Sequence, residues 1–339
     1  MKRWQFWLGV GISAIFLWIA LRGLQLDKVW QEIQRADLIW ILPGVGIYFI
    51  AVWARAWRWH YLLRPIKEIP TKTMFPIVTI GYMGNNIYPA RAGELLRAYV
   101  LKKDEDVPIS SSLATIITER VFDGLVMLAF VFVNISQLPS VTLNLGIFGN
   151  WPVSTLAIGG AILFFVATII FFWMALFPKQ YLHLFSWFNQ RIIPYKYRQR
   201  TAGVMNRFLE GLASLRSFSD VTMVFLTTIV IWLLETGKYW FLMQAFPFEI
   251  SYFALMLMNG IVNLATTIPS APGYVGTFDA PGIAILRAFG VEGVIAAAYT
   301  LVLHVALWLP ITILGAYYMI RDGLSWTDVQ ADASVEETP

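Results

Sequence analysis

Six ionisable residues fall in two segments: Arg91, Glu94 and Arg97 in and just after a break in an apolar run, then Glu119, Arg120 and Asp123 in the first turns of the span that follows. One ionised side chain at a bilayer centre costs about 2.5–3.5 kcal/mol. Six facing lipid would cost on the order of 15 kcal/mol, comparable with the whole stability of a domain. They must therefore face one another, a polar cavity or the membrane surface. Glu94 and Arg97 are three apart, as are Glu235 and Lys238, so each pair can neutralise itself on one helix face. One structural reading is a buried ion network that fixes helix register. A second places Glu119–Asp123 at the cytoplasmic interface, merely solvated. The functional reading needs surplus positive charge in a cavity, and Arg91, left over once Glu94 and Arg97 pair, supplies it. A guanidinium fork matches phosphate oxygens and suits an anionic lipid headgroup better than a metal cation.

A second polar stretch runs Pro269-Ser-Ala-Pro-Gly-Tyr-Val-Gly-Thr-Phe-Asp279 and opens a helix ending near Phe289. Asp279 can cap that helix, while the free N–H groups of such a helix start also bind anions. His304 stands alone on an apolar span and reads either as a hydrogen-bonded core residue or as a proton relay. Enzymatic chemistry has little to work with. Three scattered histidines and no cysteine give no metal cluster and no nucleophile–base pair. No catalytic residue, metal, cofactor or nucleic-acid partner is expected, and the oligomeric state is not readable.

The elements that hold these residues must be membrane helices. The 339 residues are 58 % hydrophobic and 14 % charged, against about 25 % charged in ordinary soluble domains. Leu138–Phe177 contains no Asp, Glu, Lys or Arg, and across Gly293–Ile320 His304 is the sole residue among those types and His. Both runs exceed the roughly 20 residues that cross the hydrocarbon. Spans are predicted over about Trp4–Leu21, Leu38–Leu63, Ser111–Ile135, Val153–Phe177, Val221–Met243 and Val294–Ile320. Trp4, Trp7, Trp18, Trp40, Trp53, Trp57 and Trp59 suit interfacial belts. The first span reads as a retained helix rather than a cleaved signal. Segments 30–37 and 180–217 read as surface amphipathic helices.

Met74–Leu101 and Tyr252–Phe289 behave differently. The first breaks around Gly81, Gly84, Asn85, Asn86, Pro89 and Gly93; the second around Asn263, Pro269, Pro272, Gly273, Gly276 and Pro281. Broken backbone at membrane depth survives only inside protein or along a watery cavity. Both segments are therefore predicted to be re-entrant hairpins of two half-helices. Their similar spacing of Gly, Asn and Pro, and their entry from opposite sides, predicts an inverted repeat with a midplane site. Lys and Arg cluster at Lys2, Arg3, Arg58, Arg64, Lys67 and Lys72 and between Lys179 and Arg216, whereas loop 137–151 carries no charge. That bias predicts both termini in the cytoplasm.

Asn85-Asn-Ile-Tyr-Pro-Ala-Arg-Ala-Gly-Glu-Leu-Leu-Arg97, followed by Thr118-Glu-Arg-Val-Phe-Asp123, resembles the lysylphosphatidylglycerol synthase transmembrane-region family. The stretch Pro269–Asp279 is similar to that family's second motif, with Asp279 where Glu is usual. The resemblance implies a flippase-like protein; in the synthases this region is taken to move an aminoacylated phospholipid across the bilayer. It implies functional positions at Asn86, Pro89, Arg91, Gly93, Glu94, Arg97, Glu119, Arg120 and Asp123. The synthases' aminoacyl-transfer domain has no counterpart after the last predicted span, so this chain is not expected to make the aminoacyl lipid. The expectation is thus an all-α polytopic membrane protein with about six spans and two re-entrant hairpins. One domain would cover 1–325, with repeats over about 38–137 and 221–320 and an acidic tail at 326–339. Its partner would be a membrane lipid, an anionic phospholipid or a polyprenyl-phosphate-linked lipid. Substrate-contacting positions would be Asn85, Asn86, Arg91, Glu94, Arg97, Glu119, Arg120, Asp123 and Asp279. A membrane enzyme or accessory subunit of glycolipid synthesis, or a small-anion transporter, are the alternatives.

Overall fold

Thirteen helices account for the apolar runs in a computed structural model whose described residues are 3–88, 92–134, 142–144, 150–268 and 270–324. Pro89, Arg91, Pro269 and the tail 326–339 lie outside them, as does most of loop 137–151. Each predicted span is a helix with nearly the expected limits. These are α1 (Arg3–Leu21), α3 (Ile41–Leu63, entered by a 3-10 turn at Leu38–Trp40), α6 (Ile109–Asn134) and α7 (Val153–Leu176). The other two are α10 (Phe218–Met243) and α13 (Gly293–Arg321). The amphipathic segments form α2 (Leu26–Arg35), α8 (Pro178–Ile192) and α9 (Tyr195–Gly211). A two-stranded antiparallel ribbon pairs Thr142–Asn144 with Asn150–Pro152.

Among the described residues, α3 with its entry turn, α10 and α13 are long and apolar enough to cross a bilayer. α1 with α2, and α7 with α8, form two further apolar pairs bent by 81° and 102°. α6 is as long as α10 but carries Glu119, Arg120 and Asp123. The protein is therefore all-helical apart from the short ribbon, and a multi-pass membrane protein.

Two helix pairs stand where the breaks are predicted. The first segment is α4 (Thr71–Ile87) and α5 (Ala92–Glu105); the second is α11 (Tyr252–Ala265), a 3-10 turn at Pro272–Tyr274, and α12 (Asp279–Ala288). Gly81, Gly84, Asn85 and Asn86, however, are helical residues of α4, Gly93 of α5, Asn263 of α11 and Pro281 of α12, because the helices run on past these residues. α4 and α5 fold back on each other: Gly84 lies against Gly93, and Gly81 against Arg97. At about 1.5 Å per residue none of these four helices reaches the roughly 30 Å of the hydrocarbon core.

The interior is built on α3 and α10. They run antiparallel, with Gly44 against Leu242, Tyr48 beside Lys238, and Arg64 3.5 Å from Asp220. α4 packs along α13, and α11 along α6; α5 packs on α6, and α12 on α13. Two core clusters flank this axis. One gathers around Trp59, Leu62, Met74 and Ile80, the other around Tyr239, Leu286 and Tyr299. Trp59 is completely buried, which removes it from the predicted interfacial belt, whereas Trp7, Trp18, Trp53 and Trp57 are exposed. Arg58, counted in sequence as a loop charge, is 1 % exposed and belongs to the core as well.

The hairpin turn sets a sharp packing requirement. A Cβ on Gly93 would collide with the Gly81 carbonyl oxygen and the Asn85 amide, both backbone atoms of α4. Gly93→Ala is expected to lower stability by about 1–3 kcal/mol, the usual cost of overpacking. Gly46→Ala, where an added Cβ meets nothing within 4 Å, should leave stability unchanged or raise it by up to about 1 kcal/mol. Thermal unfolding of both purified variants in detergent checks the contrast.

Candidate functional site

Two arginines that sequence reading passed over anchor the site. Arg55 and Arg58 lie three apart on α3, hence on one face, and are 8 % and 1 % exposed. Arg58 grips Asp123 of α6 through both terminal nitrogens, Nη1 to Oδ1 at 2.6 Å and Nη2 to Oδ2 at 3.3 Å. Its Nη1 also donates to Thr228 Oγ1 on α10 at 3.1 Å. The indole N–H of Trp232 donates to Asp123 Oδ1 at 3.0 Å, and Arg120 Nη1 donates to Oδ2 at 3.3 Å. Asp123 thus collects donors from α3, α6 and α10, as a buried carboxylate must.

The other predicted residues join this network. Arg97 donates to Glu119 Oε2 at 2.5 Å, and its guanidinium lies 4.2 Å above the Trp59 ring. Trp59 is held in turn by its indole N–H on Thr115 Oγ1 at 2.9 Å. Arg120 Nε stands 3.0 Å from Glu94 Oε1, close enough for charge attraction but not aligned as a hydrogen bond. The pairing expected between Glu94 and Arg97 is replaced by pairs across helices, because α6 runs antiparallel beside α5 and offers Glu119 and Arg120. Glu119 and Asp123 are 1 % and 2 % exposed, so they are not solvated interfacial charges. The Glu235–Lys238 pair forms as expected, and Arg55 Nη1 adds a bond to Glu235 Oε1 at 2.5 Å.

The described residues of this cluster comprise five cations (Arg55, Arg58, Arg97, Arg120 and Lys238) and four carboxylates (Glu94, Glu119, Asp123 and Glu235). Formal charge is therefore positive in the interior. The cluster borders a cavity of about 140 Å³, several times the roughly 30 Å³ share of one water. Its wall includes Arg55, Arg120, Glu235 and Lys238, Asn85 and Asn86 from the end of α4, Gly273 of the second break, and His304 and Trp308 of α13. Asn85 Oδ1 is buried without a hydrogen-bond partner among the described residues. Glu94 and Arg97 line a smaller crevice beside it, shared with Asn85, Gly93 and Arg120. Glu119 and Asp123 stand behind the wall, holding the arginines. Among the described residues no three of His, Asp or Glu are grouped as metal ligands would be.

The second break joins the same cavity by a different route. Asp279, 1 % exposed, accepts the Gly276 N–H on Oδ2 at 2.8 Å and meets His304 Nδ1 at 2.8 Å through Oδ1. It therefore does take a backbone N–H, but from the turn before its helix. Gly273 and Gly276 have φ of 73° and 82°, the left-handed region where glycine is favoured. The two breaks touch each other: Asn86 Nδ2 donates to Thr312 Oγ1 at 2.8 Å, and Trp308 Nε1 to the Asn86 carbonyl at 3.4 Å. Gly273 packs against both Trp308 and Asn86.

Residues 6–315 match the model of the lysylphosphatidylglycerol synthase transmembrane region. Among relatives, a UPF0104 membrane protein of Methanothermobacter thermautotrophicus is 24 % identical over 94 % of this chain and 93 % of its own length. Another, from Methanocaldococcus jannaschii, is 23 % identical over 91 % and 92 %. Glycosyltransferase AglD of Haloferax volcanii is 25 % identical over 90 % of this chain but 52 % of its own length. No solved structure matches.

The buried bidentate pair sets a stability test. Arg58→Met leaves the Asp123 carboxylate buried without its main counter-charge and should cost about 3–5 kcal/mol. Removing both charges, in Arg58→Met with Asp123→Leu, should cost clearly less than the sum of the single changes. Unfolding midpoints of the purified variants measure the difference; additive losses would show that the two side chains are not coupled.

Proposed function

Since the chain belongs to the lysylphosphatidylglycerol synthase transmembrane-region family, we propose that it moves a lipid with an anionic headgroup between leaflets. The lipid would be a phospholipid or a polyprenyl-phosphate-linked lipid in a cell membrane. The observation that carries this reading is the cationic cavity where the two helix breaks meet. Its wall holds the cations Arg55, Arg120 and Lys238 against the single carboxylate Glu235. Arg120, with a side chain 36 % exposed, is the wall cation best placed to reach a phosphate. The guanidinium of Arg97 is occupied by Glu119 and Trp59, so its role becomes support rather than contact. Arg91, outside the described residues, stays a proposed contact.

An inverted repeat underlies the proposal. If α3, α4, α5 and α6 correspond to α10, α11, α12 and α13, the helix contacts map onto one another. The α4–α13 contact becomes α11–α6, α5–α6 becomes α12–α13, and α3–α10 maps onto itself. Two equivalent helices that run antiparallel across a two-fold axis suit an axis lying in the membrane plane. This supports one domain over 1–325, six spans, two re-entrant hairpins and both termini in the cytoplasm.

A second reading rests on the name of one relative. AglD is called a glycosyltransferase, and a membrane partner of an enzyme that handles lipid-linked sugars would need the same headgroup cavity. That reading predicts headgroup binding without translocation.

Two experiments test these statements. The chain has no cysteine, so single cysteines report topology directly. Ser110→Cys and Ser217→Cys should label from the cytoplasmic side and Glu249→Cys from outside; opposite sides for the first two would remove the inverted repeat. In proteoliposomes, a fluorescent phosphatidylglycerol should exchange leaflets, and Arg120→Lys should slow it at least about tenfold by losing the planar fork. Unaltered exchange in a well-folded Arg120→Lys variant would leave phosphate recognition there without support.

A further inference from the structure

His304 is held in a way that fixes its proton count. Its Nε2 lies 2.7 Å from the Gly273 carbonyl oxygen, and its Nδ1 2.8 Å from Asp279 Oδ1. A carbonyl oxygen only accepts, so Nε2 must carry a hydrogen. The remaining contact, nitrogen to carboxylate oxygen, needs a second proton between them. Either the ring is imidazolium beside a carboxylate, or it is neutral beside a carboxylic acid. Both forms contain the same number of protons. Removing that proton would set the Nδ1 lone pair against a charged oxygen, with the carboxylate 1 % exposed, an arrangement of two acceptors and no donor. The described conformation is therefore the proton-loaded one, and losing the proton must move the ring away from Asp279 or Gly273.

Either movement acts on the second hairpin. Gly273 and Asp279 bracket its break, and the same carboxylate holds the Gly276 N–H. Phe278, between them, lies against the His304 ring with centroids 4.6 Å apart and the planes tilted by 35°. The ring thus clamps both ends of a turn built on two positive-φ glycines. We propose that the His304–Asp279 pair is a proton-binding site, and that proton uptake and release close and open the second hairpin during lipid movement. This rests on the transport reading above.

Comparison of the two halves sharpens the assignment. His304 is the twelfth residue of α13, and Arg120 is the twelfth residue of α6. Each faces an acidic residue in the first turn of the helix after its own break, Asp279 and Glu94 respectively. Equivalent positions therefore hold equivalent acid–base pairs, one with a permanent cation and the other with the side chain whose charge changes near neutrality. The first hairpin is locked by a charge that cannot leave; the second by one that can.

The surrounding charges link the proton to the cargo. Facing the cavity with His304 are Arg55 on α3, Tyr82 on α4, Arg120 on α6, Glu235 and Lys238 on α10, and Tyr274 of the break. Tyr48 of α3 completes the titratable wall, and α2, also packed on α13, contributes no wall residue. With three cations against one carboxylate, the empty cavity disfavours a further positive charge. An anionic headgroup reverses that, so headgroup and proton each strengthen the binding of the other.

Two measurements on the full chain test this. The first needs no transport: 15N-histidine NMR in micelles resolves three histidines, His60, His183 and His304, with His304→Gln as the assignment control. Between about pH 5 and 8, the 15N signals of His304 should shift as the proton it shares with Asp279 leaves. Over the same range a cysteine at the fully buried Thr277 should change from protected to reactive. Asp279→Asn should lose the pH dependence of that reactivity. His304→Arg, which copies the first half, should keep Thr277→Cys protected throughout, and guards against a His304→Gln variant that fails to fold. The second measurement applies a proton gradient to proteoliposomes containing fluorescent phosphatidylglycerol. The gradient should accelerate exchange in the natural sequence, and this acceleration should be lost in His304→Arg. His304 15N signals that stay fixed across the range, or a Thr277→Cys whose protection ignores pH, overturn the proposal even if lipid moves. Coupled titration with no lipid movement would leave the proton site standing and remove the transport reading instead.

Discussion

The contact on which the rest of the interior depends is the Arg58–Asp123 pair. A guanidinium in an apolar bundle is tolerated only where its charge and its donors are met, and a buried carboxylate makes the complementary demand. The pair meets both charges and, apart from the buried Arg58 Nε, their hydrogen bonds by drawing in Thr228 and Trp232 from α10 and Arg120 from α6. Three helices are thereby fixed in rotation and in axial position, because a one-residue slip would turn a charge toward lipid. Pairs of this kind do not make a fold more stable than a well-packed apolar core would. They make alternative packings much worse. The lipid-facing sides of α3 and α10 can then be plain hydrocarbon, as the exposed Ile50, Trp53, Phe225 and Leu226 show.

From this fixed rear wall the cavity follows. Asp123 and Glu119 are committed to Arg58, Arg120 and Arg97, and the remaining cations Arg55 and Lys238 share Glu235. One more positive than negative group in the described cluster leaves an interior that attracts anions without holding an unpaired buried arginine. Tyr48 and Tyr82 place aromatic faces against Lys238 and Arg55, which softens the cost of keeping those cations partly desolvated. On the proposed transport reading, a cavity of this kind suits an anionic headgroup that must enter and leave.

Much of this was legible in the sequence, and the part that was not has a common cause. Spans and breaks are local properties: hydropathy and Gly, Asn and Pro placement foretell α3, α6, α10, α13 and both hairpins within a few residues. Which charge meets which is a property of neighbouring helices, and sequence spacing speaks only for one helix. Glu94 and Arg97 satisfy the spacing rule, yet α6 alongside gives Arg97 a close partner in Glu119 and sets Arg120 beside Glu94. Arg58 sits near the end of its apolar run, where a cation reads as an interfacial anchor, and only packing against α6 shows otherwise. Its spacing from Arg55 was the available signal, since two arginines three apart on a membrane helix need a shared polar face. Trp59 has the composition of a belt residue and the location of a core one, because Arg97 uses its ring as a platform.

Broken helices at membrane depth leave backbone groups that water cannot reach, and each break here is completed by atoms from elsewhere in the chain. The Asn86 carbonyl and side chain are satisfied by Trp308 and Thr312 of α13, far along the chain. The Gly273 carbonyl is satisfied by His304, one turn before Trp308 on the same helix. Ser13 of α1 takes the Ala271 N–H at 2.8 Å, so the first helix supports the second break. α13 therefore serves both hairpins with one face, and a change of position at either break is felt at the other through Trp308. Two half-helices moving independently would each expose unpaired backbone to the bilayer. Moving them together, with α13 as the common partner, would keep those groups bonded, so on the proposed transport reading concerted rearrangement is the low-energy way for the cavity to change the side it faces.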